Sequence, residues 1–139
     1  MKKTIDIDAP PERVWQVMID VERWREWTAS ITSIERLDTG PFKVGSRARV
    51  LQPKLRPAVW TVTQLEPGLS FTWTSGIPGV RVIGVHAVEP VGQGSRAVLS
   101  VEFKGLFGGL AARLMRKLND EYVGTEAAGL KRRCEGKEI

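Results

Sequence analysis

The chain of 139 residues contains one cysteine (Cys134), one histidine (His86) and one tyrosine (Tyr122). A lone cysteine excludes an internal disulfide and a cysteine-based zinc site, and it points to a reducing compartment. One histidine beside one cysteine leaves too few soft ligands for a transition-metal centre. No apolar run reaches the roughly 18 residues that a membrane-spanning helix needs, so no integral membrane association is expected. Lys2 and Lys3 are followed at once by Asp6 and Asp8, where a signal peptide requires an apolar stretch. The expected location is therefore the cytoplasm. There is no Gly-rich phosphate loop, no His-Glu-x-x-His pair and no nucleophile elbow around a serine. No cofactor and no metal is expected.

What is present is globular in kind. Hydrophobic residues make up 42% and charged residues 27%, a balance that excludes a disordered chain. The length suits one domain over 1–139, large enough to bury a core and still enclose a cavity. Lys and Arg total 21 against 16 Asp and Glu, a net charge of +5. The excess is spread along the chain, with 11 basic and 9 acidic residues in 1–69 and 10 and 7 in 70–139. Spread charge argues for solubility rather than binding of nucleic acid or anionic lipid.

Hydrophobic periodicity divides the chain into elements. Lys3–Asp8 alternates as a strand. Pro10-Pro11-Glu12 opens a helix whose apolar face is Val14, Val17, Met18 and Val21. Asp20 is placed to cap a second, short helix through Trp24, with Trp27 just beyond. From residue 30 the period becomes two. Strands are expected at 31–37, 47–52, 60–65, 69–75, 80–89 and 96–104, with turns at Gly40-Pro41, Pro67-Gly68, Pro78-Gly79 and Pro90–Gly94. Connections this short require antiparallel pairing. Residues 107–135 then read as one long helix. Its apolar stripe drifts, with Phe107, Ala111, Leu114, Leu118 and Tyr122 first and Val123, Ala127, Leu130 and Cys134 second. Gly124 and Gly129 sit where the stripe changes, which suggests a bend or a helix gripped by a curved sheet. The expected class is α+β: about seven antiparallel strands curved around a long C-terminal helix, with two short helices after the first strand. No repeat or linker divides the chain.

Several stretches together resemble one superfamily. Pro10-Pro11-Glu12-Arg13-Val14-Trp15 resembles the start of the first helix in START-like, helix-grip (SRPBCC) proteins. Glu66-Pro67-Gly68 with Phe71-Thr72-Trp73 resembles the central hairpin. His86–Pro90, Gly94-Ser95-Arg96 and Glu102–Gly105 resemble the last hairpin. The ordered set covers nearly the whole chain, and the nearest branch is the small bacterial polyketide cyclase/dehydrase-like proteins. The resemblance implies a hydrophobic pocket for a lipid, polyketide or similar apolar molecule.

The chemistry-bearing residues fit that expectation. Trp60 and Trp73 lie on strands whose concave side would form an aromatic wall, and Trp24 and Trp27 would stand near the mouth. His86 shares strand parity with Val82, Gly84 and Val88 and is expected to face inward. It is either a satisfied polar wall residue or a general acid/base for an aldol-type cyclisation or dehydration. Phe103, Met115, Leu118 and Tyr122 complete the expected ligand-binding set, with Phe107 near the entrance. The Tyr122 hydroxyl would either orient a ligand carbonyl or bond to backbone. Three functions follow: binding of one small apolar molecule, cyclase/dehydratase catalysis through His86, or a ligand-free interaction or stress-response module. A monomer or weak homodimer is expected.

Overall fold

The computed structural model describes residues 1–136; residues 137–139 lie outside it. Seven strands form one antiparallel sheet: β1 (Lys2–Ile7), β2 (Ser33–Arg36), β3 (Arg47–Leu51), β4 (Ala58–Glu66), β5 (Ser70–Ile77), β6 (Val80–Val91) and β7 (Gly94–Lys104). Their order across the sheet is β1-β7-β6-β5-β4-β3-β2. The strands after β2 therefore run as a meander, as their short turns require. The first strand crosses to the far edge and pairs with the last, Lys2 opposite Ser100 through Ile7 opposite Ser95.

Between the two edge strands lie α1 (Pro11–Ile19) and a 3₁₀ helix, Val21–Glu26. Pro11 occupies the first turn of α1, where its missing N–H costs nothing. The helix buries Val14, Trp15, Val17 and Met18. Asp20 makes no side-chain cap to the 3₁₀ helix; its carboxylate instead pairs with Arg23 at 3.3 Å.

The long helix α2 (Gly108–Glu135) is unbroken, about 42 Å at 1.5 Å per residue. It packs on β1, β7, β6 and α1. Its buried side chains sit almost wholly in its C-terminal half: Val123, Ala127, Leu130 and Cys134. Gly129 explains the tight seat. A Cβ there would collide with the Trp27 carbonyl oxygen, so only glycine lets the helix reach the loop after the 3₁₀ helix. The N-terminal half spans the open side of the sheet, and Leu110 and Leu114 are exposed. The drift of the apolar stripe marks this division of labour within one continuous helix rather than a break.

Boundaries differ from expectation at one place of note. β6 continues through Pro90 to Val91 and the turn falls at Gly92-Gln93, so Pro90 lies in the ladder opposite Ser95. In β4 the register shifts between Val62 and Gln64, a bulge that adds twist and bends the sheet over the helix.

Candidate functional site

Strand parity and register assemble the site. On β6 the inward residues are Val82, Gly84, His86 and Val88. Register places Phe71 opposite His86, Trp73 opposite Gly84 and Val62 opposite Trp73. One strand further, Ala48 stands opposite Trp60. The inner face of β4–β6 is thus tiled with aromatic rings. Gly84 makes this possible: a Cβ there would lie 3.2 Å from the Trp73 ring and 3.6 Å from Trp60. The glycine is the bed on which both indoles rest, with ring centroids 5.6 Å apart.

Between this wall and α2 lies a cavity of about 530 Å³. That lies within the ordinary range for a small-molecule site. Of the residues expected to face a ligand, Trp24, Trp60, Trp73, His86, Phe103, Met115 and Tyr122 line it. Three do not. Trp27 is buried beside Trp24, its backbone against Gly129, and faces a second, smaller recess with Arg13 and Phe42. Phe107 is half-exposed beside the mouth, its ring over Gly79 at the β5–β6 turn and its N–H donating to the Gly79 carbonyl at 2.9 Å. Leu118 is half-buried on α2 outside the cavity wall. Trp24 is also not at the mouth. It is 2% exposed, closes the inner end, and donates its indole N–H to the Met18 carbonyl at 3.0 Å.

His86 occupies that inner end. It is buried, stacked on Phe71 with ring centroids 4.7 Å apart and planes at 9°, and it lies 4.9 Å from the Trp24 ring. Its Nε2 is 2.8 Å from Oε1 of Glu126 on α2. The carboxylate, 15% exposed, also borders the cavity. A carboxylate accepts only, so Nε2 carries the proton in the neutral ring and Nδ1 keeps its lone pair. Nδ1 is buried and has no hydrogen-bond partner among the described residues. An imidazole held by a carboxylate at one nitrogen has its tautomer fixed, with the lone pair on the other.

Tyr122 resolves differently. Its hydroxyl donates to the Pro53 carbonyl, tying α2 to the loop between β3 and β4. Burial, with Glu121 alongside, raises its pKa above the ordinary tyrosine value. The ring lines the cavity while the polar end is engaged on backbone. Cys134 lies elsewhere, buried under α1, and burial pushes its thiol up to about 11. Such a thiol is inert at neutral pH. Among the described residues no group of three or more His, Cys, Asp or Glu could hold a metal ion.

Glu126 is the site residue that periodicity alone passed over. The signal was there: Met115, Asn119, Tyr122 and Glu126 recur at steps of four, three and four, one face of a helix, and all line the cavity. An apolar stripe hides it, because Val123 and Ala127 flank it and carry the hydrophobic pattern. Gln52, Arg56, Ser75 and Ser100 also line the cavity and give it a sparse set of polar atoms.

Comparison with known proteins agrees with this architecture. The structure of TTHA0849 from Thermus thermophilus is 25% identical with a TM-score of 0.78, covering 100% of this chain and 99% of that one. The Zhui aromatase/cyclase from Streptomyces sp. R1128 is 17% identical with a TM-score of 0.77, covering 97% and 92%. The di-domain aromatase/cyclase BexL of the BE-7585A biosynthetic pathway is 22% identical with a TM-score of 0.71, covering 95% of this chain and 45% of that one. These last two show the shared helix-grip fold. No curated protein sequence matches. The family model described as polyketide cyclase/dehydrase and lipid transport matches residues 1–135, and the chain belongs to that family of ligand-binding helix-grip domains.

Proposed function

We propose that the protein binds one small, largely apolar, carbonyl-bearing molecule in the cavity between the curved sheet and α2, and that the His86–Glu126 pair moves a proton on it. The observation that carries the reading is the pairing itself. One imidazole nitrogen is held at 2.8 Å by a part-buried carboxylate, and the other has no partner among the described residues, at the inner end of an aromatic cavity. A donor or an acidic C–H on the ligand would be its partner.

The chemistry closes without a cofactor. Nδ1 accepts a proton from the carbon between two carbonyls, and Glu126 stabilises the imidazolium through Nε2–H. The resulting enolate carbon attacks a second carbonyl of the same molecule, whose oxygen takes the proton back. Removal of another acidic C–H proton then expels that hydroxyl as water, with the imidazolium supplying the proton. The net change is ring closure with loss of one water, and nothing is oxidised or reduced. The relatives named as aromatase/cyclases support this direction. The tryptophan wall supports a flat product.

Binding is tested with an apolar fluorescent probe, anilinonaphthalene sulfonate. We expect a stoichiometry near one and quenching of tryptophan emission, because Trp60 and Trp73 line the cavity. Unchanged probe affinity in a folded Trp60→Ala/Trp73→Ala protein would place the binding site elsewhere.

A further inference from the structure

The net charge, even along the sequence, is not even on the molecule. Three segments furnish the outer part of the cavity wall: 52–59 through Leu55, Arg56 and Pro57, 75–83 through Gly76, Ile77 and Val80, and 103–119 through Phe103, Ala111 and Met115. None contains an acidic residue. The first carries Lys54 and Arg56, the second Arg81, the third Lys104, Arg113, Arg116 and Lys117, and all seven side chains are exposed. The rest of the chain holds 14 basic residues against 16 acidic ones. Lys54, Arg56, Arg113, Arg116 and Lys117 stand on the segments that border the mouth, whereas Arg81 and Lys104 are register partners on the outer face of the sheet. Of the seven, Lys104 has an ion-pair partner, Glu102 at 3.5 Å, just outside the third segment.

The same segments carry the most exposed large apolar side chains among the described residues. Leu106 is 86% exposed, Leu114 74% and Ile77 71%, with Leu110 and Phe107 more than half exposed. Leu110 and Leu114 are successive turns of one α2 stripe, each next in sequence to a cavity-lining residue, Ala111 and Met115. Ile77 is itself part of the cavity wall. Apolar side chains that project from a helix and a turn, with cations beside them, have the pattern of an interfacial membrane anchor.

We propose that this rim docks on an anionic lipid surface, with the leucines and Ile77 entering the headgroup boundary and the cations meeting the anionic headgroups. The cavity mouth then faces the bilayer, so an apolar ligand can pass between membrane and cavity without crossing water. Charge selects this occupant over a second copy of the chain. A two-fold contact through the rim would set the same cations of both copies face to face. Ligand exchange at the membrane rests on the ligand-binding reading above; docking does not, because it is measured with no ligand present.

The test is flotation of the full-length protein with vesicles of phosphatidylcholine alone and of phosphatidylcholine with about 30% phosphatidylglycerol. Binding is expected to the anionic vesicles and to weaken steeply as salt rises from about 0.1 to 0.5 M. Two variants separate the two components. Leu110→Ser/Leu114→Ser and Arg113→Gln/Lys117→Gln should each reduce the bound fraction at least about tenfold, while probe binding in solution stays at the wild-type level. Absence of binding to anionic vesicles overturns the proposal, as does equal binding to neutral ones or indifference to the leucine pair. A dimer that the leucine pair dissociates overturns it as well, as does an acidic soluble protein that occupies this rim and displaces the vesicles from it. The probe measurement reports separately on the cavity, so loss of docking with intact probe binding leaves the ligand reading standing.

Discussion

His86 is positioned by three neighbours on three elements: Phe71 from β5, Trp24 from the 3₁₀ helix and Glu126 from α2. The aromatic pair fixes the ring plane and the carboxylate fixes the tautomer. At neutral pH, ¹⁵N shifts of the ring are predicted to show Nε2 protonated and Nδ1 bare in the neutral form. Glu126→Leu should abolish that preference, and a wild-type ring protonated at Nδ1 would contradict the assignment. That His86 faces inward was legible in the sequence, because Val88 before the hairpin sets the parity of β6. Its partner was not, since periodicity reports which residues share a face of one element and says nothing of what the opposite element brings. Cys134 gives a second residue-scale prediction. Its thiol rises from 9.0 to about 11 in the folded protein because burial disfavours the thiolate. Between those values the unfolded chain has lost the proton that the folded one still holds. Stability from this group is therefore complete below about pH 9 and is lost progressively as pH rises toward 11. Alkaline melting curves of Cys134→Ala should lack that component, and parallel curves for the two proteins would contradict it.

At the scale of elements, two of the four glycines of α2, Gly124 and Gly129, have opposite meanings. Gly129 approaches Trp27 so closely that a methyl group would collide with backbone, whereas a Cβ at Gly124 meets nothing within 4 Å. Gly124→Ala is predicted to stabilise the protein by up to about 1 kcal/mol through helix propensity. Gly129→Ala is predicted to destabilise it by about 1–3 kcal/mol, because the overpacked helix must shift. Chemical denaturation measures both, and the same sign for the two variants would show that α2 is not seated as described. The extent of α2, the strands and their antiparallel pairing were all visible in the periodicity and in the turn residues. The C-terminal end of β6 was not, because proline in a sequence reads as a turn marker. Pro90 is instead tolerated near the hairpin end of the ladder. The helix stripe was visible but its meaning was not. Two stripes could mean a bend or a change of surroundings, and only the sheet's position decides that the first half of α2 borders a cavity.

At the scale of the molecule, curvature converts a sheet and one helix into a container. The β4 bulge bends the meander, α2 covers the β1, β7 and β6 side, and the β3–β5 side stands away from the helix. Aromatic rings close the inner end around the His86–Glu126 pair. The outer end is apolar, cationic and open. The concave aromatic wall followed from strand parity, whereas the gathering of charge at the mouth did not. Segments far apart in sequence supply it, and counts along a chain average it away.

The central claim, that the His86–Glu126 pair transfers a proton on a bound apolar ligand, is tested most directly by His86→Gln. The substrate probe is a short poly-β-keto thioester analogue, with turnover and affinity measured on the same protein. Glutamine keeps the size and hydrogen bonding of the side chain and cannot accept the proton. The account predicts kcat lower by about 10²–10⁴-fold, the usual weight of general acid–base catalysis, with Kd changed by no more than about tenfold. A folded His86→Gln protein that binds and turns over the analogue as the wild type does would contradict it.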